Sequence, residues 1–204
     1  MGWYEDHILP RCIDWVMREE RFSLLRKALL AEVSGTILEV GFGSGLNLPH
    51  YPAQVTRLYA LDPSLTGRRL ARSRIEDAPF PVEFINPQAD RINLPDQSVD
   101  AAVSTWTVCT LPDPVSVLRE IRRVLKTDGR YFLLEHGLSS EGGVARFQQI
   151  WNPVQKWIGG GCHVNRKIDS LVTASGFHIE SMKKFYMEGP KFLAFLYQGI
   201  ARPG

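Results

Sequence analysis

Residues Thr36 to Asn47 read T-I-L-E-V-G-F-G-S-G-L-N, an apolar run with Glu39 near its end that breaks into three alternating glycines. Twenty-one residues past Gly41, a second apolar run, Arg57-Leu58-Tyr59-Ala60-Leu61, stops at Asp62. Two strand ends, one carrying a glycine loop and the next an acid, describe a nucleoside-binding edge of an α/β sheet. Without Cβ atoms, Gly41, Gly43 and Gly45 let the backbone take positive φ and let a ligand lie against it.

The spacing is G-x-G-x-G, and Leu46 stands where a dinucleotide fold packs its third glycine. This weighs against NAD or FAD, whose pyrophosphate uses the longer loop and the N-terminus of the following helix. Glu39 points the same way, because its carboxylate disfavours a phosphate yet accepts from the ammonium of an amino-acid-like ligand. S-adenosylmethionine has that ammonium, a ribose diol for Asp62, and no phosphate. A generic strand-to-helix turn is the competing reading. The glycines alone are weak evidence against it; Glu39 and the correctly spaced Asp62 tip the balance.

A chain of 204 residues is long enough for one α/β domain with a full core and short for two. The net charge of +2 predicts no nucleic-acid partner, and Arg68, Arg69, Arg72 and Arg74 read as the solvated face of one helix. Cys12, Cys109 and Cys162 are widely separated, so the sequence writes neither a disulfide framework nor a metal site. A reducing cytoplasm is the expected setting. No apolar run reaches membrane-spanning length, and the opening M-G-W-Y-E-D-H carries charge where a signal peptide is hydrophobic. Asp6 stands where N-myristoylation requires a small hydroxyl residue.

Between Pro10 and Ala31, Ile13, Val16, Met17, Leu24, Leu25, Ala28 and Leu29 recur at helical intervals, predicting one or two amphipathic helices that cover the ligand edge. Strands are expected at 36–40, 57–61, 82–85, 101–104 and 130–135. A helix is expected over 114–126, where Val115, Leu118, Ile121 and Leu125 share a face and Pro114 sits near the start. Alternating strands and helices imply a parallel sheet with helices on both faces. After residue 175, two consecutive strands at 178–185 and 192–201, joined through Gly189-Pro190, predict an antiparallel pair closing a seven-stranded, Rossmann-like, mostly parallel sheet.

Two more segments bear on the ligand. Asp90, in the loop before the fourth strand, is placed to bind an adenine amino group; a turn or cap aspartate explains it equally well. Asp100 reads as a structural aspartate at the strand entrance. Trp106 leaves the carboxyl end of a central strand, where open α/β sheets hold their ligands, and a core tryptophan is the alternative.

Together, L-E-V-G-F-G-S-G, A-L-D-P-S, A-D-x-x-x-L-P-D-x-S-V-D and V-L-R-E-I-R-R-V-L-K-T-D-G resemble the class I S-adenosylmethionine-dependent methyltransferases over Thr36 to His136. The resemblance implies that the loop Gly41, Phe42, Gly43, Ser44 and Gly45, with Glu39 and Asn47, holds the methionine part. It implies that Asp62, with Pro63 and Ser64, binds ribose, that Ala89, Asp90 and Arg91 bind adenine, and that Thr105 and Trp106 complete the pocket. The product is then S-adenosylhomocysteine. The domain reading is a single unit, 1–204, with a helical cap (1–35), a cofactor-binding core (36–136), and an acceptor-side lid with the closing strands (137–204).

A narrower similarity lies further on. F-L-L-E-H at 132–136, Q-Q-I-W-N-P at 148–153 and G-C-H-V-N-R at 161–166 are similar to the methyltransferase-like-seven family of thiol S-methyltransferases and its soluble bacterial relatives. The chain departs from the animal members in lacking an apolar amino-terminal membrane segment. That resemblance implies methyl transfer to a small or lipophilic acceptor, a thiol first. A thiol of pKa near ~8.5 is mostly protonated at neutral pH, so a base or positive field helps. His136 is the candidate base, with a structural histidine the even alternative. Cys162 and His163, after the Gly159-Gly160-Gly161 hinge, are candidates for the acceptor side or for packing, and Tyr4 and His7 for reaching the pocket from the cap. Other readings are N- or C-methylation of a phospholipid amine or quinone, with peripheral membrane contact, and a non-catalytic adenosylmethionine-binding module.

Overall fold

The computed structural model describes residues 4–86 and 91–204. A π-helical turn, Tyr4–Ile8, leads into α1 (Leu9–Met17) and α2 (Glu20–Leu30) ahead of β1 (Gly35–Val40). There follow β2 (Val55–Leu61), α3 (Leu65–Leu70), α4 (Arg72–Glu76), β3 (Val82–Ile85), β4 (Val99–Thr105), α5 (Pro114–Val124) and β5 (Leu125–His136). The chain continues through α6 (Gly142–Ile158), α7 (Ile168–Ala174), β6 (Phe177–Tyr186) and β7 (Phe195–Pro203).

The seven strands form one sheet in the order β3-β2-β1-β4-β5-β7-β6. β1 to β5 run parallel, and β7 is antiparallel to both neighbours. Strand order reverses between β1 and β4, so a crevice opens at the carboxyl ends of these two strands, at Gly41 and Trp106. Such a switch point is where this architecture binds ligands.

Side chains alternate across the central strands, as a period of two demands. Leu38, Ala102 and Leu133 meet Leu118, Ile121 and Val124 of α5 on one face. Ile37, Val103 and Leu134 meet Leu29 and Leu30 of α2 on the other. Each fully buried leucine contributes about 1.5–3 kcal/mol of apolar burial. Truncating Leu118, 0% exposed, to alanine costs about 2–5 kcal/mol through lost transfer energy and the cavity left behind.

The expected helix at 114–126 begins as predicted. Asp113 caps it by accepting from the Ser116 amide at 3.1 Å, and Pro114 occupies the first turn. It ends two residues early, because Leu125 is already extended and starts β5. The last strand starts at Phe195, not 192: the amides of Leu193 and Ala194 both donate to Pro190 O, at 2.9 and 3.0 Å, closing a turn there. The arginine group also departs from expectation. It spans two short helices, and Arg74 is no solvated residue: its side chain is 16% exposed, pairs with buried Asp14 at 3.1 Å and donates to Ser44 O at 2.7 Å.

Helix α6 has two characters. Gln148 and Asn152 are buried on one side, while Phe147, Ile150, Val154 and Trp157 expose an apolar stripe, with Trp157 81% exposed. Trp15 of α1 is similarly exposed. Among the described residues, no helix is long and apolar enough to cross a membrane.

Candidate functional site

The glycine loop is set by contacts that only hydrogen at Cα permits. Gly41 has φ 77°, and a Cβ there would lie 1.8 Å from Thr107 Oγ1, on the segment that follows β4. At Gly43, φ 54°, a Cβ would meet only a carbonyl oxygen 4.0 Å away, so this glycine borders open space. The two glycines therefore answer different needs: one admits the protein's own chain and the other leaves room for a ligand.

Under the loop, Asn47 donates its amide to Glu39 Oε1 at 2.8 Å and to Thr105 Oγ1 at 3.1 Å, and Tyr51 donates to Glu39 Oε2 at 2.8 Å. Glu39 is 1% exposed. Asn47 and Tyr51 thus hold the carboxyl group that the sequence offers to an ammonium group, one bond to each oxygen. Burial raises its pKa to about 8, against the bonds from Tyr51 and Asn47 and the charge of Arg26. Phe42 likewise turns into the core, edge-on to Phe84 at 5.3 Å, leaving its backbone as the part that borders the crevice.

Asp62, at the end of β2, accepts from the Gly43 amide and the Ser64 amide, both at 2.7 Å. A carboxylate offers about four lone-pair sites, so capacity for a diol remains beside these two bonds. Burial raises its pKa, and the two amides oppose that shift. Ser64 caps α3 through the Gly67 amide at 3.0 Å, and Pro63 is exposed between them. Arg91 is exposed and lies 3.6 Å from Asp96. Ala89 and Asp90, the expected adenine contacts, lie outside the described residues. Asp100, read as structural, accepts from the Thr36 amide at 2.8 Å and from Lys126 at 2.6 Å, joining the entrances of β1 and β5.

Trp106 has φ 52°, a strained backbone for a bulky residue at the carboxyl end of a central strand. Its ring stands edge-on to Phe22 at 5.5 Å, with the Arg26 guanidinium 5.0 Å from its centroid. Around this point the described structure leaves three buried polar atoms without a hydrogen-bond partner: Asn47 Oδ1, Arg26 Nε and Trp106 Nε1. Buried polar atoms are ordinarily satisfied; Arg26 lies against Trp106, and Asn47 is bonded to Thr105, the last residue of β4. An acceptor, a cationic donor and open room over the loop fit the polar amino-acid end of S-adenosylmethionine.

The acceptor-side candidates separate into two groups. Tyr4 donates its hydroxyl to Ile158 O at 3.2 Å, which joins the amino-terminal turn to the end of α6, and the His7 carbonyl accepts from Arg11 within that turn and α1. Cys162 lies 3.5 Å from His136 Nδ1 and 3.7 Å, sulfur to sulfur, from Cys109. The expectation that the cysteines stand apart is thus overturned for two of the three: 53 residues separate them in the chain, and the fold joins them. Their shared proton pulls the Cys162 thiol down, with His136 adding to the effect, and pushes Cys109 up. His163 sits beside this cluster with its ring accepting from Asn152 Nδ2 at 3.1 Å, while its amide donates to Cys109 O at 2.8 Å.

Several residues around the site carried no signal that was read. Arg26 falls on the buried stripe of α2 with Phe22, Leu29 and Leu30, and an arginine on an apolar stripe was a legible clue. Gly67 packs α3 on the loop: a Cβ there would stand 2.8 Å from Gly43 O. Arg166 donates to Val108 O at 2.5 Å and Leu111 O at 2.7 Å, and Glu135 accepts from Ser104 Oγ at 2.8 Å and the Cys109 amide at 3.2 Å. The conspicuous E-H and G-C-H-V-N-R segments thereby fix the 107–111 loop.

A seven-stranded sheet in this order, with a glycine loop, a β2 acid and a crevice between β1 and β4, defines a class I S-adenosylmethionine-dependent methyltransferase, and the chain belongs to that family. Residues 38–133 match the family described as "Methyltransferase domain". The chain is 34% identical to human thiol S-methyltransferase TMT1B over 74% of this chain and 63% of that protein. It is 31% identical to phosphatidylethanolamine N-methyltransferase of Cereibacter sphaeroides over 56% of this chain and 57% of that one. A methyltransferase structure from Aquifex aeolicus superposes with a TM-score of 0.65 at 18% identity, covering 94% of this chain and 97% of the other, and shares the fold. The chain thus spans less than two thirds of the length of these two curated relatives. The cofactor of this family is S-adenosylmethionine.

Proposed function

We propose that this protein methylates the sulfur of a small, lipophilic thiol. The observation that carries this reading is convergence: the two segments similar to thiol methyltransferases, ending at His136 and containing Cys162, meet at 3.5 Å beside the cofactor crevice. The human relative of 34% identity is named for the same acceptor class. Exposed apolar side chains support a lipophilic acceptor: the end of α6, with Trp157, adjoins the amino-terminal turn through Tyr4 and Ile158.

S-adenosylmethionine, when bound, supplies a methyl group on a sulfonium with a good leaving group. The chain's part is chiefly positioning and exclusion of water. The glycine loop offers open backbone, Asp62 offers lone pairs to the ribose diol, and Asn47 Oδ1 with Arg26 faces the amino-acid end. Trp106, held between Phe22, Arg26 and His136, links the carboxyl end of β4 to the cysteine cluster.

A second reading, N-methylation of a phospholipid amine, is favoured by the bacterial relative and by the apolar stripe of α6. Incubation with labelled S-adenosylmethionine and separate panels of alkyl and aryl thiols, phosphatidylethanolamine vesicles and quinols discriminates them. Label is expected on thiols; transfer to lipid or quinol alone sinks the thiol assignment.

A further inference from the structure

Cys109, His136 and Cys162 present three soft or borderline ligand atoms, all within 4.8 Å of one another. The separations are 3.7 Å between the sulfurs and 3.5 Å from Cys162 Sγ to His136 Nδ1. A tetrahedral zinc ion with bonds of about 2.3 Å to sulfur and about 2.0–2.1 Å to nitrogen requires edges of about 3.8 Å and about 3.5 Å. A disulfide, by contrast, needs sulfurs at about 2.05 Å. The two separations given match two edges of such a tetrahedron, and the third, from Cys109 Sγ to His136, is within 4.8 Å.

We propose that Cys109, His136 and Cys162 form a three-ligand site for a zinc-type divalent ion, with its fourth position left to an external ligand. The ligands are held independently of any ion. Arg166 fixes the loop on both sides of Cys109 through Val108 O and Leu111 O. His136 pairs with Leu196 in the β5–β7 ladder. Cys162 lies between Gly161, at φ 90°, and His163, whose amide is bonded to Cys109 O at 2.8 Å. Asn152 Oδ1 accepts from the Val164 amide at 3.1 Å and anchors the segment from α6. Two thiolates and a neutral imidazole balance a dication. Three protein ligands with one vacancy is the arrangement of catalytic rather than structural zinc.

The open position has a use that rests on the thiol reading above. A thiol bound there forms a metal–sulfur bond and gives its S–H proton to solvent, because a coordinated thiol is deprotonated. The acceptor is then held as a thiolate next to Trp106, whose ring centroid lies 6.4 Å from that of His136. His136 is in this scheme a ligand and not a proton acceptor.

The test uses the full chain, reduced and stripped of metal with a chelator, and titrated with Co2+. One equivalent is expected to produce thiolate-to-cobalt charge transfer and the intense visible bands of a tetrahedral site, both erased by one equivalent of Zn2+. Cys162→Ser and Cys109→Ser are expected to lose the charge-transfer band or bind at least tenfold more weakly, while Cys12→Ser, at an exposed cysteine, titrates like the wild type. Absence of the bands in wild type, or their loss only in Cys12→Ser, overturns the site. A zinc-induced rise in wild-type melting temperature gives a second readout should a variant fail to fold; no rise at stoichiometric zinc counts against the site. Adding 2-mercaptoethanol to the cobalt protein is expected to strengthen the charge-transfer band. An unchanged band in a protein that still methylates thiols overturns coordination of the acceptor, whereas a strengthened band with no thiol methylation counts against the thiol reading and leaves the metal site standing.

Discussion

Asn47 Nδ2 lies 2.8 Å from Glu39 Oε1, so the residue that closes the glycine loop is tied to the end of the strand that opens it. The bond places a carboxyl group at 1% exposure, where burial raises its pKa to about 8. An unfolded glutamate titrates near ~4.3. Between those values the folded protein holds a proton that the unfolded chain has lost. Stability from this group is therefore complete below about pH 4 and is lost as pH rises toward 8, at up to about 1.4 kcal/mol per unit. The melting temperature of ligand-free protein is expected to fall over this window, and Glu39→Gln to flatten the decline. Parallel profiles for the two proteins would rule out the buried proton.

Asp62 serves both fold and ligand, since its oxygens already hold the Gly43 and Ser64 amides. Asp62→Ala is expected to weaken S-adenosylmethionine binding by about 1.5–3 kcal/mol, roughly ten- to hundredfold. Isothermal calorimetry measures it. An unaltered dissociation constant removes Asp62 from the cofactor site.

Alanine at Gly41 and at Gly43 is expected to separate folding from binding. At Gly41 the added methyl collides with Thr107 at 1.8 Å and must force β4's exit loop away, so thermal stability falls sharply. At Gly43 the methyl enters open space, and the positive φ costs about 1–2 kcal/mol. Gly43→Ala should therefore melt only a few degrees lower yet bind cofactor at least tenfold more weakly. Equal binding by Gly43→Ala and wild type would mean the open space is not ligand space.

Asn152→Ala strands the Val164 amide, which is buried, and frees the segment that carries Cys162. A loss of about 1–3 kcal/mol is expected from the unsatisfied donor. Denaturant titration reads the loss, and faster labelling of Cys162 by a thiol reagent reads the loosening. Unchanged labelling would show that another contact holds the segment.

The strands and the ligand-binding edge were legible because they follow from local signals: apolar runs, a glycine loop and an acid at strand ends. Asp100 was correctly read as structural for the same reason, since its partners Thr36 and Lys126 border strand ends already visible in the pattern. What escaped depends on distance in the chain. Nothing local marks Cys109 as a neighbour of Cys162, and the meeting is created by two loops that Arg166 and His163 stitch together. The partners of Glu39 also escaped, because Asn47 and Tyr51 flank a short 3-10 turn with no apolar period to betray it. Arg74 was misread because charge alone does not reveal a buried partner, and Asp14 lies 60 residues earlier on a different helix.

The position of β7 between β5 and β6 sets an order on synthesis. β6 emerges first but has no neighbour of its own until residues 195–203 exist to bridge it to β5. Through that interval β5 presents an unpaired edge carrying Tyr131, Leu133 and other residues that end fully buried, the kind of edge on which nascent chains associate. The same insertion sets His136 opposite Leu196, so the His136 end of β5 is fixed only when the sheet is complete. A ribosome-bound chain lacking the final bridge would hold its cofactor crevice, from β1 to β4, without a finished acceptor side.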